Sequence, residues 1–141
     1  MIRKLYPSPI AFDRTEKFVK VDVNGDNLAV ATSATLGWKN PESDPVLVTR
    51  AILDVTTVAT GACTLDVGIT ATSISTASDT LLDGVDVNAA TAVFDSADAG
   101  LDSGANDMAQ KVGIGKFVTF TEKTGDAEGL RGSLYIGYIV I

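Results

Sequence analysis

The chain has 141 residues, the length of one domain with a real core. It carries 11 basic and 18 acidic residues, and a net charge of −7 argues against nucleic acid as a partner. Histidine is absent and Cys63 is the single cysteine, so His-based triads, an intrachain disulfide and thiolate metal clusters are excluded.

Apolar residues make up 45% and aromatic ones 6%, so Val, Leu, Ile and Ala must build the core. No run approaches the roughly 20 apolar residues of a membrane span, and no membrane partner is expected. The N-terminus lacks the apolar stretch of a signal peptide, which predicts synthesis without secretion.

Residues 1–17 read as an extended N-terminal arm, because Pro7 and Pro9 impose extended backbone. Five of the 11 basic residues (Arg3, Lys4, Arg14, Lys17, Lys20) fall in the first twenty positions. Tyr6, Ile10 and Phe12 would anchor such an arm on a neighbouring subunit. The same segment also suits a frayed terminus.

Residues 18–141 read as a single domain. Val19, Val21 and Val23 alternate with charged residues, which predicts a half-buried strand. Asn24-Gly25-Asp26-Asn27 is a turn signal of the hairpin kind, and a short strand is expected over Leu28 to Thr32. Trp38 precedes a loop, Asn40 to Pro45, punctuated by Pro41 and Pro45.

Two β-rich runs, Val46 to Val58 and Ala62 to Thr70, flank Ala59-Thr60-Gly61. Read as a hairpin centred on Thr60, they place Leu53 opposite Val67 and Val55 opposite Leu65 on an apolar face. The other face then sets Asp54 opposite Asp66. Like charges across a strand pair repel, so a basic side chain (Arg50, Lys116 or a partner's cation), a bound ion or plain solvent screening is expected there. Asp54 and Asp66 are accordingly the candidate metal ligands, with Ca²⁺ as the fitting ion. No other cofactor is expected.

Residues 51–110 contain nine aspartates and no basic residue. Beyond Thr70 this block is a small-residue excursion, with apolar clusters at Leu81 to Val87 and Val93-Phe94 and a short helix expected near Asn106 to Lys111. Lys111 to Thr124 returns to strand character. Ser133 to Ile141 is the last strand and is apolar on both faces, so it is either central in its sheet or covered by another subunit. Tyr135, Tyr138 and Ile141 are its candidate partner contacts. Many short strands separated by turn signals predict an all-β fold, an antiparallel β-sandwich of Greek-key or jelly-roll type.

Little in the chain carries chemistry. There is no Gly-x-Ser-x-Gly elbow and no phosphate-binding loop, and Gly113-Ile-Gly115 lacks the third glycine of a dinucleotide fingerprint. Paired carboxylates are the remaining hardware, and Asp54 with Asp66 has no aromatic platform for a sugar. Asp22-x-Asn24-x-Asp26 mimics the start of a calcium loop, but its glycine comes one place early and no Glu closes it. Asp79, Asp83, Asp86, Asp95, Asp98, Asp102 and Asp107 read as solvated turn carboxylates or as oxygen ligands. No enzyme activity is expected.

Three segments resemble the small head-associated virion proteins of tailed bacteriophages that decorate or cement the capsid or join head fibres. They are Ala51-Ile-Leu-Asp-Val through Gly61-Ala-Cys-Thr-Leu-Asp-Val-Gly-Ile69, Ser78-Asp-Thr-Leu-Leu-Asp-Gly-Val-Asp-Val87, and Gly125-Asp-Ala-Glu-Gly-Leu-Arg-Gly-Ser-Leu-Tyr-Ile-Gly-Tyr138. The resemblance implies a non-enzymatic, often trimeric sandwich on the outer head surface, made in the host cytoplasm and bound to the major capsid protein. A tail or neck protein and a glycan-binding fibre module are the other readings. The latter would rely on Trp38, Tyr135 and Tyr138.

Overall fold

The computed structural model describes residues 15–28, 35–72, 77–97 and 109–141. Among these, the strands are β1 (Lys17–Asn24), β2 (Thr35–Lys39), β3 (Val46–Thr57), β4 (Cys63–Thr70), β5 (Leu82–Asp86), β6 (Val93–Asp95), β7 (Gln110–Val112), β8 (Phe117–Gly125) and β9 (Arg131–Val140). They form two antiparallel sheets. The first has the order β1-β9-β3-β6, with β7 beside β6 on the same edge of β3, and the second has the order β2-β8-β4-β5. The expected all-β sandwich is therefore the fold.

Alternation explains the core. Val46, Val48, Ala51, Leu53 and Val55 of β3 are buried with Leu134 and Ile136 of β9. Leu65 and Val67 of β4, Leu82 and Val85 of β5, and Val118 and Phe120 of β8 are buried from the second sheet. These residues join one apolar cluster. Each of these Val, Leu, Ile and Phe side chains contributes about 1.5–3 kcal/mol by leaving water.

The hairpin expected between β3 and β4 does not form, because the two strands lie in different sheets. Leu53 pairs with Leu134 and Val67 with Phe120. The turn between them is held by other loops, with Ala59 N donating to Val87 O at 3.0 Å and Thr60 N to Glu128 O at 2.9 Å. The apolar alternation was right about which side chains point inward. It could not choose between a hairpin and an arch joining two sheets, since both bury the same residues.

The Asn24–Asn27 segment is a turn, again not a hairpin. Residues Gly25–Asn27 form one 3₁₀ turn, capped by the Asn24 side chain accepting from Asp26 N at 3.1 Å. It leads away from β1, whose partner in the first sheet is β9. Of the run expected at Leu28 to Thr32, Leu28 is extended but outside any strand, and the rest lies outside the described residues. Of the short helix expected near Asn106 to Lys111, Gln110 and Lys111 instead open β7, while 106–108 lie outside the described residues.

β9 is central in its sheet, flanked by β1 and β3; Leu134, Ile136 and Tyr138 turn to the core, while Tyr135 and Ile139 lie half-buried on the outer face. The outer face of the second sheet is partly covered by its own chain. Leu81 N donates to Val67 O at 3.0 Å, and Ile69 N donates to the Thr80 hydroxyl at 3.0 Å. Ser78 lies so close over Gly68 that a Cβ there would sit 2.3 Å from its Oγ. Thr119 and Thr121, alongside on β8, are buried.

Candidate partner-binding surface

The expected carboxylate pair is split by the topology. Asp54 and Asp66 sit in different sheets, each at an alternation position opposite to the core residues flanking it, so they face outward on opposite sides of the sandwich. Asp54 is half-buried and pairs in register with Ser133 and Val93. Asp66 is 7% exposed and accepts from Gly84 N at 2.7 Å, with Lys123 Nζ 3.9 Å away. Burial pushes the Asp66 carboxyl upward, and the Gly84 N–H and Lys123 oppose that. Neither Arg50 nor Lys116 compensates the pair. Arg50 forms a two-pronged ion pair with Asp95 across β3 and β6. Among the described residues no group of three or more His, Cys, Asp or Glu side chains could hold a metal ion. Cys63 is buried, and burial raises its thiol to about 11, which leaves it a core hydrophobe.

The candidate contact residues separate as well. Tyr6, Ile10 and Phe12 lie outside the described residues. Tyr138 is a core residue, 6% exposed, and it offers no contact surface. Its ring packs on Trp38 at 5.0 Å between centroids, and its hydroxyl donates to Glu42 Oε1 at 3.0 Å. Lys17 Nζ reaches the same oxygen at 2.6 Å. Trp38 belongs to the second sheet and Tyr138 to the first, so this cluster closes one end of the sandwich. Inward-facing Trp38 and Tyr138 also leave a glycan platform without two of its three candidate aromatics.

Tyr135 does lie on the outer face of the first sheet, half-buried between Lys20 of β1 and Ile52 of β3. Phe18 stands beside it, 62% exposed, with its ring laid over Gly137. A Cβ on Gly137 would come within 2.8 Å of that ring. Val93 on β6 is equally exposed. The first sheet therefore presents a mixed apolar outer face. Ile141 is 42% exposed at the same sandwich end as Glu42, its N–H donating to Pro45 O at 3.0 Å.

That end is organised by Asn40, a buried residue missed in the sequence because it reads as an ordinary loop polar group. Its side chain donates to Asp44 O at 3.0 Å and Gly113 O at 3.2 Å, and accepts from Glu42 N at 2.9 Å. It thereby ties the β2–β3 loop to the β7–β8 turn.

No family model and no curated protein matches this chain. Among solved structures, a chain in the capsid of Ralstonia phage GP4 is similar over 98% of this chain and 92% of that one, with a TM-score of 0.68 and 20% identity. A chain in the acidic stable capsid structure of Helicobacter pylori bacteriophage KHP30 gives 90% coverage of both, a TM-score of 0.49 and 15% identity. Over nearly its whole length, then, this chain shares its fold with a chain of a bacteriophage capsid.

Proposed function

We propose that this chain is a structural protein of a phage virion, a decoration protein that binds the outer face of the major capsid lattice and stabilises the head. The observation that carries this reading is the end-to-end fold likeness to a chain of the Ralstonia phage GP4 capsid. The phrases at Ala51–Ile69, Ser78–Val87 and Gly125–Tyr138 point the same way. The strand orders β1-β9-β3-β6 and β2-β8-β4-β5, with β7 as an added edge strand, support the jelly-roll form of the sandwich in this reading.

In this reading three copies meet through the outer face of the first sheet, where Phe18, Tyr135 and Val93 supply apolar contact. Residues 1–14, with Tyr6, Ile10 and Phe12, strap a neighbouring subunit. Association and strapping would each bridge lattice subunits, which raises the force needed to separate them.

Binding of the recombinant protein to undecorated capsids is the test. Co-sedimentation saturating near-stoichiometrically with lattice sites is the expected result. A few copies per purified virion would move the protein to the tail or neck, and absence from virions would overturn the reading.

A further inference from the structure

Eight basic residues lie among the described residues, and five of them are in ion pairs. Lys17 meets Glu42, Lys20 meets Asp22, Arg50 meets Asp95, Lys123 meets Asp83 and Asp66, and Arg131 meets Asp26. Lys39, Lys111 and Lys116 form no ion pair among the described residues, and all three are exposed. In a chain of net charge −7, three ammonium groups without an ion pair among the described residues are conspicuous.

The topology brings those three to one end of the sandwich. Lys39 is the last residue of β2 and pairs with Phe117, over whose ring its ammonium lies at 5.9 Å. Lys111 pairs with Leu47 near the start of β3. Lys116 sits in the β7–β8 turn, and its carbonyl accepts from Asn40 N at 2.9 Å. Trp38 and Val112 are buried, so Lys39 and Lys111 point outward on opposite flanks, one on each sheet.

Between the flanks stands Ile114, 60% exposed at the tip of the turn. The turn is rigid. Lys116 N closes it onto Gly113 O at 3.1 Å, Gly115 takes φ +68°, and Asn40 grips Gly113 from below. A preorganised aliphatic tip with a lysine rim has the anatomy of a protein-binding anchor: an apolar centre desolvates while the surrounding charges steer and orient. Among the described residues, the carboxylates of this end are mostly engaged. Glu42 is held by Lys17 and Tyr138, and Glu16 meets the Thr49 hydroxyl, leaving Asp44. At the opposite end, Asp86, Asp126 and Glu128 have no ion pair among the described residues.

We infer that the end bearing Ile114, Lys39, Lys111 and Lys116 is a docking surface for an acidic protein surface with an apolar socket. The inference rests on the decoration reading in assigning that partner to the capsid lattice. The acidic end then points away from the shell.

Two measurements test it. Zero-length carbodiimide cross-linking of purified virions joins lysine ammonium groups to carboxylates in direct contact. Links from Lys39, Lys111 or Lys116 to Asp or Glu of another virion protein are expected. In parallel, Ile114→Asp and the double variant Lys111→Glu/Lys116→Glu should each bind undecorated capsids about tenfold or more weakly, with unchanged melting temperature. Wild-type binding matched by both variants, with no such links, overturns this surface and leaves the decoration reading standing. Wild-type protein that ignores capsids, yet carries these links to another virion protein, overturns the decoration reading and upholds the surface. Virions without the links, or links only between copies of this chain, overturn it.

Discussion

The Tyr138 hydroxyl donates to Glu42 Oε1 at 3.0 Å, which ties the central strand of the first sheet to the loop leaving the second. Lys17 completes the arrangement on the same oxygen. Lys17 and then Tyr138 hold the Glu42 carboxyl below its ordinary value of 4.5. A depressed carboxyl contributes stability that is present above the unfolded value and lost as pH falls through the folded one. Glu42→Gln should therefore lower the melting temperature at pH 7. The gap between variant and wild type should close as the pH is taken well below 4.5. A gap of constant size across that range would show that the charge is irrelevant.

Asp66 should behave in the opposite sense. Burial is the leading influence on it and raises its carboxyl above the ordinary 3.8. A raised carboxyl binds its proton more tightly in the folded state, so stability falls as pH rises from 3.8 through the folded value. Asp66→Asn keeps an oxygen to accept from Gly84 N, removes the buried charge and gives up Lys123 at 3.9 Å. Thermal melts at pH 7 should find the variant at least as stable as wild type, with its advantage shrinking in acid. A marked loss at pH 7 would mean that Lys123 outweighs burial.

Gly25 marks where the 3₁₀ turn is clamped. A Cβ there would lie 1.8 Å from Ala127 O and 2.6 Å from Leu130 Cβ, while Gly25 N is bonded to Leu130 O at 2.9 Å. The turn cannot retreat without breaking that bond. Gly25→Ala should destabilise by about 1–3 kcal/mol or more, read from the urea midpoint. Gly61→Ala is the control, because its Cβ would meet nothing within 4 Å.

Much of this fold was legible because alternation reports burial directly. Val21 and Val23, Leu53 and Val55, and Leu65 and Val67 all turned inward as their spacing required. Pairing was not legible, because period-two patterning is silent about which strand lies alongside. Hence Asp54 and Asp66 looked like opposed partners and are separated by the whole sandwich. Tyr138 illustrates a second limit. A strand apolar on both faces hides which face is covered by its own sheet partner, and Trp38 lies a hundred residues away in sequence. The cationic end shows a third. Every basic residue lies outside 51–110 in the sequence, but Lys39 is brought beside Lys111 and Lys116 through the β2–β8 pairing.

Arg50 and Asp95 hold the short strand β6 on the edge of β3, where the pairs are Ile52 with Asp95, Leu53 with Phe94 and Asp54 with Val93. Arg50 is the leading cause of the lowered Asp95 carboxyl. Three backbone pairs at a sheet edge are weak alone. Arg50→Ala should speed amide hydrogen exchange over Val93 to Ala97, with little change over β8 and β9. Unaltered exchange at 93–97 would assign the anchoring instead to Ser96, whose N–H donates to Ala51 O at 2.9 Å.

The boundary of the N-terminal arm can be set from the body. Lys17 opens β1 and pairs with Glu42, and Glu16 meets the Thr49 hydroxyl, so both belong to the folded unit. Removing residues 1–17 would therefore mix loss of the arm with loss of an ion pair. Truncation after residue 14 separates them, since Thr15 onward retains each of these contacts. The shortened protein should melt within a degree or two of wild type, because it retains all the strands and core residues described, which lie from Lys17 onward. Its binding to undecorated capsids should weaken if Tyr6, Ile10 and Phe12 strap a neighbour, and Tyr6→Ala/Phe12→Ala in the full chain should reproduce most of that loss. Unaltered binding by both proteins would reduce residues 1–14 to a leader and leave attachment to the folded body. In that case Ile114→Asp, made in the truncated chain, should remove what binding remains.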